Sequence, residues 1–320
     1  MNRKGKKKMK NIQPGFNGGT KSVTRQVLLF IVILTCMGCM KEESETFAIN
    51  GSFSSVNVFV NHNIDVSIRS GAAQNRVTGS YTYSYRIRES RVIDFRSIPY
   101  FELAQIVVRC REQCDDVSGE LELVVPHGVT VYIQGENGQV TATDFTGEIQ
   151  IFTEDGPIVA DNLHGDILAQ TGNGDITIGN AMGQTKVTTL NGNVTLSGIA
   201  GNEGGNSTPC ETIAAMTPSP EEMGIVNQSK GVLISIQTIT GNISASCIFG
   251  NLWMDTEKGN IVVNGCTGKI IATADNGNIS ARNTVGDIDL FIFNGGNVLT
   301  ENVHCEACLT QSENGTVTIR

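Results

Sequence analysis

The chain has 320 residues, with 36 glycines, only seven prolines and a formal charge of −9. An acidic balance of this kind excludes a nucleic-acid partner, because phosphate binding needs clustered Lys and Arg. Abundant glycine without abundant proline excludes a long disordered linker and points to many tight turns.

The N-terminus carries the main basic run, "RKGKKKMK" at Arg3 to Lys10, followed by the apolar "VLLFIVIL" at Val27 to Leu34. Eight apolar residues are too few to span a bilayer and fit the core of a signal peptide. The next segment, "TCMGCMKEE", places Gly38 directly before Cys39 and resembles a bacterial lipoprotein processing site. That resemblance implies removal of residues 1–38, a lipid on Cys39 and a bilayer anchor, with 39–46 as a tether. One departure is Cys36, at a position where such sites usually carry an aliphatic residue. An ordinary signal peptide or a membrane anchor is the alternative. "KEE" at Lys41 to Glu43 looks like the short charged signal that sends some bacterial lipoproteins to the cell surface.

Residues 47–135 alternate in the manner of strands without a fixed step, as in "FSSVNVFVNHNIDVSI" and "ELELVVPHGVTVYIQG". They are expected to form an irregular β-region that starts and caps the remainder of the chain, since a bare sheet end invites aggregation. Cys110 and Cys114 are spaced to pair across a turn if the compartment is oxidising.

From residue 136 a repeat takes over. Glycines recur every nine residues at 138, 147, 156, 165, 174, 183, 192 and 201, and again from 241 to 286. Aliphatic residues stand two and four places after most of them, the alternation of a short half-buried strand. Two kinds of unit alternate, so the true period is 18: Phe145, Leu163, Ala181 and Ile199 mark one kind, and Thr153, Thr171 and Thr189 the other. Asn137, Asp155, Asn173 and Asn191 precede the glycines of the first kind, again 18 apart. Asn-Gly and Asp-Gly tolerate positive φ, so these residues are expected to mark a structural turn at one fixed corner. A corner that returns every 18 residues means that the chain stacks above itself. The expected fold is all-β, a parallel β-solenoid of 18-residue coils over 136–320, right-handed on general grounds.

The register breaks over 202–231, where "GNEGGNSTPC" and "TPSPEEMG" read as an inserted surface loop. Nearer the C-terminus, Cys305 and Cys308 in "HCEAC" imitate a zinc or redox pair, but His304 is the only further ligand nearby. The expectation is free or disulfide-bonded cysteines, with no metal and no cofactor.

The opening "FSSVNVFVNHNIDVSI", the "VVPHGVTVYIQGENGQV" stretch and the Asn-Gly repeats together resemble a bacterial family of adhesin-like domains of unknown function. The resemblance spans roughly Phe47 to Arg320. It implies an exported, membrane-tethered β-solenoid with no established catalytic residues.

The chemistry-bearing alternatives fare less well. "TGNGDITIGN" at Thr171 to Asn180 has phosphate-loop glycines, yet a strand comes next where such a loop would open a helix. Calcium-binding nonapeptides need a recurring aspartate two places after the glycine, where Ile176 stands here. The residue directly after each glycine varies, from Gln139 and Glu148 to Asp166, Asp175 and Asn193, so no column of oxygen ligands is expected. Glu148 and Asp166 fall on neighbouring coils and could act as a carboxylate pair in a carbohydrate-active β-helix enzyme. The reading preferred over it is a non-catalytic envelope lipoprotein presenting a surface for adhesion or scaffolding to a surface glycan or a protein. An envelope sensor or assembly partner is a third possibility.

Overall fold

The structure is a computed structural model, and it describes residues 40–73, 75–86, 93–100, 102–110, 118–200, 233–305 and 307–320. Every regular element among them is a strand. In chain order the first are β1 (Met40–Asn50), β2 (Ser55–Val60), β3 (Asn63–Gly71), β4 (Arg76–Arg86), β5 (Ile93–Tyr100), β6 (Leu103–Cys110) and β7 (Ser118–Pro126). Next come β8 (Thr130–Gln134), β9 (Val140–Thr146), β10 (Ile149–Thr153), β11 (Ile158–His164), β12 (Ile167–Thr171), β13 (Ile176–Met182), β14 (Thr185–Thr189) and β15 (Val194–Ala200). The last are β16 (Leu233–Thr240), β17 (Ile243–Phe249), β18 (Asn251–Lys258), β19 (Ile261–Asn264), β20 (Ile270–Asn276), β21 (Ile279–Val285), β22 (Ile288–Gly295), β23 (Val298–His304), β24 (Cys308–Ser312) and β25 (Val317–Ile319).

The strands form two sheets. One runs β1-β4-β7-β3-β9 and then through the odd-numbered strands to β25; the other runs β24 through the even-numbered strands to β8, then β2-β6-β5. From β8 onward each coil gives one strand to each sheet, which is a parallel β-solenoid. Pairs such as Ile149↔Ile167 and Ile158↔Ile176 are 18 residues apart. Across the insertion Thr185 pairs with Ile234 and Val194 with Ile243, both 49 apart, so the ladder keeps its register. A bulge between Ala274 and Asn276 then lengthens the step to 19, as in Ile279↔Val298.

Inward positions fill the space between the sheets with aliphatic columns, among them Val140, Ile158, Ile176, Val194, Ile243, Ile261, Ile279 and Val298, all fully buried. Stacking like on like removes both faces of each side chain from water, and no single coil could do so alone.

Parallel stacking begins earlier than the glycine spacing indicates. β2 and β3 form a coil beneath β8 and β9, and β6 and β7 form another outside it. The later coil in sequence is therefore the outer one in space, and the chain steps back over the first to continue. Antiparallel strands close this end: β5 on β6, and β4 then β1 on β7. Residues 40–46, expected as a tether, are the first half of β1 and pair with Arg86 to Ser80. β4 is long enough to hold them, and the Tyr83 hydroxyl donates to the Glu43 carboxylate of the "KEE" stretch.

The positive-φ corner is also not where Asn137, Asp155, Asn173 and Asn191 stand. Those four lie in bends, while positive φ recurs at glycines such as Gly147, Gly165 and Gly183 and in a separate column of Asp144, Asn162, Asn180, Gly198, Cys247, Gly265, Asn283 and Asn302. The members of this column nearly all sit within a strand of the odd-numbered sheet, where each adds a residue to the strand. The next side chain, Phe145 or Leu163, then turns inward. The glycines at 156, 174, 192, 241 and 259 serve a steric need instead. At each, a Cβ would run into the carbonyl oxygen of the glycine one coil below. Those carbonyls accept buried threonine hydroxyls: Thr171 Oγ1 donates to Gly156 at 3.0 Å, Thr189 to Gly174 at 3.2 Å and Thr238 to Gly192 at 3.2 Å. The threonine column and the glycine column are two halves of one contact.

Candidate functional site

With the interior filled by aliphatic side chains, chemistry is left to the outer walls and corners. One corner carries a long polar column. The Oδ1 of Asp175, Asn193, Asn242, Asn260, Asn278 and Asn297 each accepts the backbone N–H of the next coil at 2.7–3.1 Å. A column of side-chain oxygens does form here, contrary to the expectation from the varied residues after the earlier glycines. It is a hydrogen-bond ladder, since each oxygen is already taken by an amide, and amide oxygens so engaged make poor cation ligands. A shorter ladder joins Asp155, Asn173 and Asn191. Among the described residues no group of three His, Cys, Asp or Glu is gathered.

The outer wall of the odd-numbered sheet has a central row of mostly Ser, Thr and Val, flanked by longer side chains such as Met182, Phe249, Arg282 and Glu301. In that row stand Ser67, Thr141, Val159, Thr177, Thr195, Ser244, Val262 and Ser280. The outer wall of the even-numbered sheet is different. Leu233, Trp253 and Leu309 are exposed on it, at 52%, 39% and 52%. Nearer the capped end it carries an aromatic group. Tyr132 lies between Phe59 and Phe152, with ring centroids 5.9 and 5.3 Å away. Asn57 and Gln150 are the same-row neighbours of Tyr132, and Gln134 and Gln170 are those of Phe152. Rings and amides thus alternate like a checkerboard, an arrangement that arises from the single outward aromatic in "VNVFV", "VTVYI" and "IQIFT".

Beside this group lies a shallow pocket of about 250 Å³, lined by Glu148, Gln150, Asp166, Gln184, Lys186 and Leu233 among others. The two carboxylates singled out from the sequence do come together here. Neither is idle: Gln150 donates to Glu148 at 2.6 Å, and Asp166 Oδ1 accepts the Gln184 N–H at 3.0 Å. The second contact is the same corner bond that Asp175 makes, so Asp166 has a structural duty.

Cys305 and Cys308 form a disulfide across the loop between β23 and β24. Cys247 is also disulfide-bonded, while Cys266 is a buried free thiol. Burial pushes the Cys266 thiol up to about 12 from an ordinary 9.0, so it stays protonated and unreactive at neutral pH. His62 is brought to Glu136, with its backbone N–H donating to the carboxylate at 2.8 Å. Cys39, Cys114, the side chain of Cys110 and the 202–231 insertion lie outside the described residues.

No protein-family model and no curated protein matches the chain. Among solved structures it is similar to a candidate cell-adhesion protein from Clostridium sporogenes, at 10% identity and a TM-score of 0.29, over 88% of this chain and 100% of that one. It is also similar to a candidate adhesin from Bacteroides fragilis, at 9% identity and a TM-score of 0.34, over 87% of this chain and 97% of that one. A third, a candidate adhesin from Parabacteroides merdae, shows 10% identity and a TM-score of 0.35, over 88% of this chain and 96% of that one. At these scores the superpositions are loose, and the site rests on its own residues.

Proposed function

We propose that the chain is a non-catalytic cell-envelope lipoprotein, anchored in the bilayer by a lipid on Cys39, whose solenoid is a stiff surface for adhesion or scaffolding. The observation that carries this reading is the asymmetry of the two outer walls. An aromatic cluster and the exposed Leu233, Trp253 and Leu309 are displayed on one wall, whereas the central row of the other is mostly Ser, Thr and Val with Val262 exposed, although both walls cover the same core. Exposed apolar groups gathered on one face mark an interaction surface. The pocket beside them brings two carboxylates together, and both are already hydrogen-bonded, which favours a binding role over hydrolysis at that place.

With β1 beginning at Met40, a lipid on Cys39 would hold the capped end directly at the membrane. The wall and the β24–β25 end of the stack would then face outward. Labelling of intact cells with a membrane-impermeant reagent, with and without Cys39→Ala, tests this. The expected result is a membrane-bound, surface-labelled wild type and a Cys39→Ala protein released from the membrane. A wild type found free of the membrane, or shielded from the label, would overturn the reading.

A further inference from the structure

We infer that the checkerboard of Phe59, Tyr132, Phe152, Gln134, Gln150 and Gln170 is a binding platform for a neutral, extended polysaccharide chain. This rests on the adhesive-surface reading and gives it a ligand.

A sugar ring offers two kinds of contact. One face of a pyranose presents C–H groups, and its rim presents hydroxyls that both donate and accept. The first wants an aromatic face; the second wants groups that also do both, and the primary amide of glutamine has a carbonyl and an NH₂ at one end. On this wall Tyr132 and Phe152 each have an amide beside them in the same row. The three rings are half-buried, so each is fixed in place with one side still open to solvent. Gln150 and Gln170 are half-buried and Gln134 is exposed, so all three amides reach the surface.

Charge narrows the partner further. The chain as a whole carries −9, yet none of these six side chains is ionised, and the adjoining Asn57 and Leu168 are neutral too; charge enters only at the rim, where Glu148 accepts from Gln150 at 2.6 Å and Lys186 lines the neighbouring pocket. An anionic polymer or a lipid headgroup would find no cation in the platform. A cationic one would be drawn to the acidic corners instead. A neutral polymer meets no such penalty and needs only stacking and hydrogen bonds. Geometry also favours a flat, extended chain. Coils repeat about every 4.8 Å, so Phe59 and Phe152 stand roughly 10 Å apart along the axis, close to two sugar units in extended form.

Affinity electrophoresis of the full chain tests the inference, with gels containing mixed-linkage β-glucan, glucomannan or hydroxyethyl cellulose, and anionic controls of polygalacturonate and heparin. Retardation is expected in at least one neutral gel. Tyr132→Ala and Phe152→Ala should each weaken it about tenfold, the scale of one lost stacking ring, and Tyr132→Phe should retain it. Gln170→Ala, which leaves the rings in place, should also weaken it, so the test survives if an aromatic variant fails to fold. Thermal unfolding of each variant separates lost binding from lost structure. No retardation in any neutral gel, retardation in anionic gels alone, or folded alanine variants that bind as the wild type does would overturn the inference. So would capture of a purified protein by this wall without any glucan binding. None of those results touches the cell-labelling outcome, so the ligand and the surface display fail separately.

Discussion

The two outer walls of the solenoid rest on the same core, the same coil spacing and the same corner ladders, yet they differ in composition. Thr141, Thr177 and Thr195 face out from one sheet, and Tyr132, Phe152 and Trp253 from the other. Inward positions have no such freedom: Ile151 and Ile178, from opposite sheets, are both aliphatic and fully buried. Folding therefore dictates the inside of each strand and leaves the outside almost free. Where one side nevertheless carries a cluster of rings alternating with amides and the other carries none such, the difference asks for a cause outside stability.

The largest predicted effect removes the support beneath both walls together. Gly174→Ala would drive a methyl group into the Gly156 carbonyl one coil below, where two backbones meet and neither can yield. A loss of about 3 kcal/mol or more is expected, as for severe overpacking, read as a lowered urea midpoint by circular dichroism. A variant as stable as the wild type would mean that the stacked-glycine contact does not set the corner.

The buried threonines sharpen the same point at smaller scale. Thr171→Val leaves the Gly156 carbonyl with one hydroxyl donor, from Thr153 at 2.7 Å, in place of two. It should cost about 1 kcal/mol. Thr284 is equally buried but its hydroxyl has no hydrogen-bond partner. Thr284→Val keeps the shape and removes an unsatisfied group, so a neutral or slightly stabilising change is expected from the same melts. If the two valine variants behave alike, the hydroxyl ladder contributes nothing.

Cys266 gives a pH-dependent check on the core between the walls. Its folded pKa is raised, so as pH climbs from about 9 to about 12 the unfolded chain loses its thiol proton first. Stability from this group is present below pH 9 and is lost across that window. Tyr81, also held up by burial, adds to the fall at higher pH. The Cys266 share is therefore read as the difference between wild type and Cys266→Ala. The two stability curves should converge as pH rises; parallel curves would show that the thiol is not buried in the native state.

Much of this architecture is legible in the sequence because a solenoid repeats its demands. The 18-residue step, the threonine column and the alternating apolar positions each recur often enough to read. The left-handed column at Asp144, Asn162, Asn180 and Gly198 is equally periodic. It is easily missed because Asn-Gly pairs offer a more familiar corner. The glycine beside such an asparagine is needed for close approach of two carbonyl-bearing backbones, a requirement visible only once the coils are stacked. The order of the first two coils has no local signature, since β6 and β7 settle outside β2 and β3 after a long excursion. At the site, Glu148 and Asp166 stand out in the sequence as acids. The aromatic checkerboard does not, because its three rings lie 20 and 73 residues apart in the chain and meet through register alone.

The smallest predicted effect bears most directly on the contrast between the walls. Thr177 faces outward between Val159 and Thr195, away from the corner ladders. Thr177→Ala should change stability by no more than about 0.5 kcal/mol, as for other exposed sites. Tyr132→Ala should cost somewhat more, up to about 1 kcal/mol, because two ring contacts go with it. In stability the two substitutions are thus near neighbours, and a melt alone would rank them as minor. Glucan retardation should separate them sharply, with binding unchanged in the first and about tenfold weaker in the second. Equal loss in both would mean that the polymer lies against the whole solenoid and that the walls differ in composition without differing in use. Loss in Tyr132→Ala alone would assign binding to one wall, with the other free of such a cluster because nothing docks there.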